Sequence, residues 1–198
     1  MANYDRYKTE TAESYEKRGL MDYLVRIPSD KKLVPIISQI KGKKILDVGP
    51  GTGRYTSLLL KDNEVVGIDR NPHLCRLPIK VHHGDATQLA QLVKAHSFDM
   101  VFSTWMTEYL NPQQLITFFR QAKIAIKQDG ELVTTIVSKH GFGFLYITAA
   151  KMIRGTDKYN YTKKYAADML KDAGFIDIEI INLNSWFHIP WAYLIICR

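Results

Sequence analysis

The chain has 198 residues, 46% of them hydrophobic and 24% charged, which suits one globular domain with a sizeable core and excludes a disordered or fibrous chain. Its 27 Lys and Arg exceed its 20 Asp and Glu, giving a formal charge of +7. Such a surface favours anionic partners, although the basic residues are spread along the whole chain, as solvation alone would also have them.

In chain order, residues 1–28 are polar and charged at the start, unlike a signal peptide, and lie outside any strand–helix rhythm. From Lys43 onward, short β-branched runs alternate with helical patterns, which predicts a parallel sheet with helices on both faces. The expected strands are 43–49, 64–69, 79–83, 98–103, 130–137, 175–181 and 191–197. The nine residues between the last two, NLNSWFHIP, are too few for a crossover helix, so that pair is expected to be antiparallel. Helical patterns cover 52–62, 87–95, 111–130 and 162–175. Pro112 suits a first helical position, with Gly130 just past the end. Thr162 reads as an N-cap and Gly174 as a stop.

Residues 138–165 form an insertion that mixes aromatics with Lys139, Lys151, Arg154, Lys158, Lys163 and Lys164, with Asp157 as its one acid. The apolar run inside it, 141–153, is short of the ~20 residues that span a bilayer. Two cysteines, Cys75 and Cys197, suggest neither a disulfide framework nor a metal site and point to a reducing cytoplasm.

The most informative stretch is KKILDVGPGTGRYTSLL, residues 43–59. Three glycines in five positions need a reason, because glycine costs backbone entropy wherever it sits. A phosphate loop would need Gly-Lys-Ser/Thr, whereas Arg54 and Tyr55 follow Gly53. A dinucleotide fingerprint would need a small residue where Arg54 stands. What remains is acidic-x-G-x-G-x-G, here DVGPGTG. Asp69 ends the second strand 22 residues after Asp47, near the spacing of a ribose-binding acid. Asp85 follows the third strand in HHGDATQL, and FDMVFSTWMTEYL (98–110) forms the fourth strand and its turn.

These motifs, in this order, closely resemble the class I S-adenosylmethionine-dependent methyltransferases, over residues 4–198 and most strongly over 43–130. The strand-five entrance, IKQDGEL, is looser than that family's Leu-Lys-Pro-Gly-Gly. The resemblance implies a Rossmann-like, doubly wound α/β sheet of seven strands, ordered 3-2-1-4-5-7-6 with the last antiparallel. It implies a single domain over 1–198, with an N-terminal helical lid at 1–28 and an acceptor-side insertion at 138–165. The cofactor it implies is S-adenosyl-L-methionine, leaving as S-adenosyl-L-homocysteine. Its expected contacts are Asp47, Gly49, Pro50, Gly51 and Gly53 for the methionine part, Asp69 for the ribose, Asp85 and Ala86 for the adenine, and Arg70 and Ser103, with Tyr15 and Arg18 from the lid. Asp47 would orient the ammonium.

Trp105, Glu108 and Tyr109 are the acceptor-side candidates, Trp105 as a wall and Glu108 as a base or a partner for a cationic amine. His140 and His188 are further candidate bases. The expected acceptor is a small organic molecule, anionic or amphiphilic, methylated on oxygen or nitrogen. An alternative is an RNA methyltransferase that uses the basic surface, although no Asn/Asp-Pro-Pro-Tyr-like motif follows the fourth strand. A second alternative is a non-catalytic relative that only binds the cofactor. Asp69 and Asp85 also read as plain helix caps, Trp105 as core, and the glycine turn as a structural turn.

Overall fold

The computed structural model describes residues 26–154, 157–184 and 189–198. The expected lid over 1–28 therefore lies largely outside the described residues, together with Tyr15, Arg18 and His188. Within it, helix α1 (Ile27–Ser38) already begins, with Pro28 in its first turn.

Seven strands form one sheet in the order β3-β2-β1-β4-β5-β7-β6. They are β1 (Lys44–Val48), β2 (Glu64–Asp69), β3 (Val81–His83), β4 (Phe98–Ser103), β5 (Ile126–Val137), β6 (Glu179–Asn184) and β7 (Pro190–Cys197). β1 through β5 pair in parallel, and β7 runs antiparallel to both β5 and β6. The strand order reverses between β1 and β4, so the turn after β1 sits at the switch point where such sheets bind ligands.

Alternate strand residues feed two cores, as the two-residue side-chain period requires. Leu46, Val101, Leu132, Ile136 and Ile195 join one core with α4 (Pro112–Ala125) and α6 (Lys163–Asp172). Ile45, Met100, Phe102, Val133 and Leu194 join the other, with α1, α2 (Thr56–Leu59) and α5 (Phe142–Arg154). A further short helix, α3 (Leu89–Leu92), buries Leu89 in the first core.

α4 shows how local signals set an element. Asn111 and Gln114 cap each other's backbone amides in a capping box, and Pro112 follows at once,. Its Leu115, Phe118, Phe119 and Ala122 are fully buried at helical spacing, each large side chain contributing about 1.5–3 kcal/mol. The helix ends at Ala125, before the expected Gly130. Ile126 bonds back to Ala122 O, turns extended and starts β5, while residues 127–129 bulge outward where the register to β4 shifts.

Three other boundaries differ from expectation. α2 is four residues long instead of eleven, because the turn through Gly53 delays its start and Asn63 Nδ2 takes the carbonyls of Leu59 and Ile40 (2.8 Å each) at its end. The helical pattern at 87–95 divides into a 3-10 turn, Ala86–Gln88, and α3. β6 starts at Glu179, after Asp177 takes a positive φ of 48° that breaks the extended run. Thr162 does cap α6, accepting from Tyr165 N, and Gly174 lies beyond its end at φ 89°.

Candidate active site

The turn after β1 opens onto a cavity of about 510 Å3, lined by Asp47, Gly49 to Ser57, Arg26, Ile27, Arg76, Leu77, Thr104 and Trp105. Gly49, Gly51 and Gly53 all have left-handed backbone, at φ 80°, 55° and 88°, a region that costs an L side chain about 1–2 kcal/mol. Space adds a second reason at two of them. A Cβ on Gly49 would meet Met106 Cγ at 2.6 Å, and one on Gly53 would meet Leu77 Cδ1 at 2.6 Å. The sequence bares its backbone where the cavity begins.

Three acids stand at the ends of three strands at this edge: Asp47 within β1, Asp69 closing β2 and Asp85 two residues past β3. Asp47, at 2% exposure, accepts from Thr56 Oγ1 at 2.6 Å. Burial pushes its carboxyl up to about 7, with the Thr56 bond opposing and Asp69 adding to the rise,. Asp69 accepts from Gly51 N at 3.1 Å through one oxygen and from Asn71 N at 2.7 Å through the other. It therefore braces the glycine turn, and each oxygen keeps a further lone pair. Burial raises its pKa against those two amides and the neighbouring Arg70 and His83.

Asp85 caps the 3-10 turn Ala86–Gln88 through Thr87 N and Oγ1, both at 2.8 Å, and its other oxygen pairs with Arg70. Burial works to raise its pKa, but the Thr87 bonds and Arg70 outweigh it and hold the carboxyl low. Ala86 is buried beside it. Ser103 is fully buried and donates to Val48 O at 2.8 Å, tying the end of β4 to the end of β1. Of the expected cofactor residues, then, Asp47, Gly49, Pro50, Gly51 and Gly53 line the cavity. Asp69, Arg70, Asp85, Ala86 and Ser103 sit around the neighbouring strand ends and are partly or wholly engaged in holding the protein itself.

Trp105 forms the far wall. Its φ of 57° is rare for a bulky residue,, and several contacts hold it there. Its N–H donates to Thr135 Oγ1 at 2.7 Å, its Nε1 donates to Tyr55 Oη at 2.9 Å, and its ring stacks on Trp191 at 4.7 Å. Tyr55 in turn donates to Asp30 Oδ1 at 2.7 Å, and Asp30 pairs with Arg54. Burial and Asp30 push the Tyr55 hydroxyl pKa upward. Trp191 Nε1 donates to Ser29 Oγ at 2.6 Å. The cavity wall is thus fastened to α1 from both sides.

Glu108 and Tyr109 stand in the 3-10 turn Thr107–Tyr109. Glu108 is 3% exposed and its Oε1 accepts from Lys158 Nζ at 2.9 Å. Lys158 also donates to Tyr146 Oη at 2.6 Å and lies over the rings of Tyr109 and Tyr146 at 4.6 and 4.7 Å. Sequence reasoning singled out Glu108 and Tyr109 but not their partners. Lys158 was one of several basic residues in the insertion, and its only special signal is an aromatic neighbourhood visible once the chain is folded. His140 is exposed, with its backbone N–H bonded to Ser138 Oγ. Among the described residues, no group of three His, Cys, Asp or Glu is placed to hold a metal ion, and no helix is long and apolar enough to cross a membrane.

Comparison with known proteins agrees with this geometry. A model described as "Methyltransferase domain" matches residues 46–134. A tRNA U34 carboxymethyltransferase of Aeromonas hydrophila is 26% identical over 166 residues, covering 77% of this chain and 50% of that protein. Phosphoethanolamine N-methyltransferase 1 of Zea mays is 28% identical over 94 residues, covering 42% of this chain and 19% of the relative. The chain thus spans half the length, or less, of these curated relatives. Among solved structures, an S-adenosylmethionine-dependent methyltransferase from Mesorhizobium loti aligns with a TM-score of 0.70 at 15% identity, covering 86% of this chain and 97% of that one. Another from Archaeoglobus fulgidus aligns with a TM-score of 0.68 at 17% identity, over 87% and 92%. These structural likenesses establish the fold. The methyltransferase-domain match spans the glycine turn and strands β1 to β5, and the chain shares its fold with S-adenosylmethionine-dependent methyltransferases.

Proposed function

We propose that this chain is a single-domain enzyme that transfers a methyl group from S-adenosylmethionine to oxygen or nitrogen of a small organic acceptor. One observation carries the reading: a bare-backbone turn at the sheet's switch point opens on a cavity walled by Trp105, with carboxylates at the ends of three successive strands. The residues present fit the family's cofactor. Left-handed glycines leave main chain where the methionine part lies, and Asp47 offers a buried carboxylate to an ammonium. Asp69 retains lone pairs for ribose hydroxyls, and Asp85, steadied by Arg70, stands with Ala86 near the adenine position. Ser103 joins β4 to β1 beneath them. Tyr15 and Arg18, in the lid over 1–28, complete the assignment.

When bound, S-adenosylmethionine supplies an electrophilic methyl on a good, neutral leaving group. The chain's own part is alignment and exclusion of water. Positioning alone can supply roughly 7–11 kcal/mol of such a barrier. Trp105 walls the approach, and Glu108 with Tyr109 flanks it, joined by the 138–165 insertion. A general base is needed only for an acceptor that must lose a proton. The proposed location is the cytoplasm.

The second reading, an RNA methyltransferase, draws on the +7 charge and on the likeness to proteins named as tRNA carboxymethyltransferases. One experiment separates the readings: incubation with methyl-labelled S-adenosylmethionine and two pools, a small-molecule extract and total RNA. Label in the small-molecule pool is the expected result. Label in RNA, with binding that weakens steeply with salt, would replace it by the second reading. Cofactor binding without label in either pool would favour a non-catalytic relative.

A further inference from the structure

We propose that Lys158 fills a seat built for an ammonium group, so that the acceptor region excludes cationic amines and receives an uncharged hydrogen-bond donor. The word acceptor rests on the methyltransferase reading above; the seat itself does not.

Two aromatic faces and a carboxylate around one ammonium are the elements by which proteins bind ammonium ligands. Here the chain supplies the cation itself. Lys158 Nζ lies 4.6 Å from the Tyr109 ring centroid, 4.7 Å from that of Tyr146, and 2.9 Å from Glu108 Oε1. The three partners come from the turn after β4 and from α5, and the lysine from the segment before α6. Both charges are almost wholly buried, Lys158 at 8% and Glu108 at 3% exposure. Burial alone would strip the proton from a lysine. Glu108, Tyr109 and Tyr146 more than compensate, and the ammonium stays charged well above the usual range,.

A chain of ring contacts links the seat to the cavity wall. Tyr146 meets the Trp191 ring edge-on at 5.7 Å, and Trp191 stacks on the cavity wall, Trp105. One atom is left over. Glu108 Oε2 is buried without a hydrogen-bond partner among the described residues, an arrangement that costs stability unless a ligand completes it. Because Lys158 already neutralises Glu108, Oε2 offers an acceptor lone pair with no net charge behind it. A hydroxyl, phenol or amide N–H matches that. A cationic amine would meet the Lys158 ammonium.

Tetramethylammonium is the probe. Lys158→Ala should empty the seat and bind tetramethylammonium at least about tenfold more tightly than the wild type, by NMR titration. Glu108→Gln added to Lys158→Ala should abolish most of that gain. Equal affinity in wild type and Lys158→Ala would overturn the proposal, as would no binding in a Lys158→Ala chain that still binds S-adenosylhomocysteine. A second measurement uses the wild type alone, in case the variant does not fold. Reductive methylation with formaldehyde and a borane, read by peptide mass spectrometry, should spare Lys158 while modifying the exposed Lys151 and Lys164. Modification of Lys158 at the rate of those two would sink the idea. Neither arm measures methyl transfer, so S-adenosylhomocysteine binding and label transfer test the enzymatic reading separately.

Discussion

The two sides of the cavity are built at different ranges along the chain. On the side of the glycine turn, Thr56 reaches Asp47 across 9 positions, Arg70 reaches Asp85 across 15, and Gly51 reaches Asp69 across 18. On the side of Trp105, Trp105 reaches Tyr55 across 50, Lys158 reaches Glu108 across 50, and Trp191 reaches Ser29 across 162. The glycine-turn side is a local device, specified by the turn and the strand ends next to it. The Trp105 side exists only when distant elements have packed, so its geometry depends on the whole fold.

The largest effect expected is on the long-range side. Lys158→Ala leaves Glu108 buried and unpaired, and should cost about 3–5 kcal/mol in urea unfolding. Glu108→Gln combined with Lys158→Met should cost less than that single change. A loss no greater than that of an exposed lysine would show that the Trp105 side is not held by this pair.

Gly49→Val tests the local side. It forces a branched residue into left-handed backbone and drives its Cβ against Met106, for about 2–4 kcal/mol of destabilisation. Gly49→Ala should show a smaller fall in the same direction. Asp69→Ala removes the brace on Gly51 N and should weaken S-adenosylhomocysteine binding by roughly 1–3 kcal/mol by calorimetry. Unchanged affinity in a folded variant would remove Asp69 from the site.

Asp47 predicts a pH dependence. Its carboxyl titrates near 7 in the folded chain against an ordinary 3.8, so the native state holds a proton that the unfolded chain gives up. Its contribution to stability is full below about pH 4 and declines as pH rises toward 7. Ligand affinity should run the other way, since only the ionised carboxylate pairs with an ammonium. S-adenosylhomocysteine binding should therefore tighten between about pH 5 and 7, by at most about tenfold per unit. Asp47→Asn should flatten both trends. The smallest effect is that of Trp105→Phe. It keeps the stack on Trp191 but loses the bond to Tyr55, at a cost of about 1 kcal/mol.

The difference in range also explains what could be read before folding. Seven strands, their alternation with helices and the antiparallel final pair follow from periodicity and loop length, both local. Asp47, Asp69 and Asp85 stood out because each sits a fixed distance from a strand end. Their double duty did not, since the Asp69–Gly51 and Asp85–Arg70 bonds depend on how the neighbouring loops lie. The boundary errors have the same origin. The Asn63 contacts that end α2 and the register shift that starts β5 early are tertiary events. Glu108 was visible as a polar residue after β4, but nothing near it in the chain announces Lys158.

The position of β7 carries a consequence in time. It inserts between β5 and β6, and its Trp191 backs Trp105. While a ribosome is still making the chain, the glycine turn and its acids can already be assembled, yet the indole opposite them lacks the ring it stacks on until residues 190–197 slot in. A truncated chain ending at Asn184 contains Trp105 as its sole tryptophan. Its fluorescence should report a water-exposed ring that turns apolar only when the missing strand is supplied.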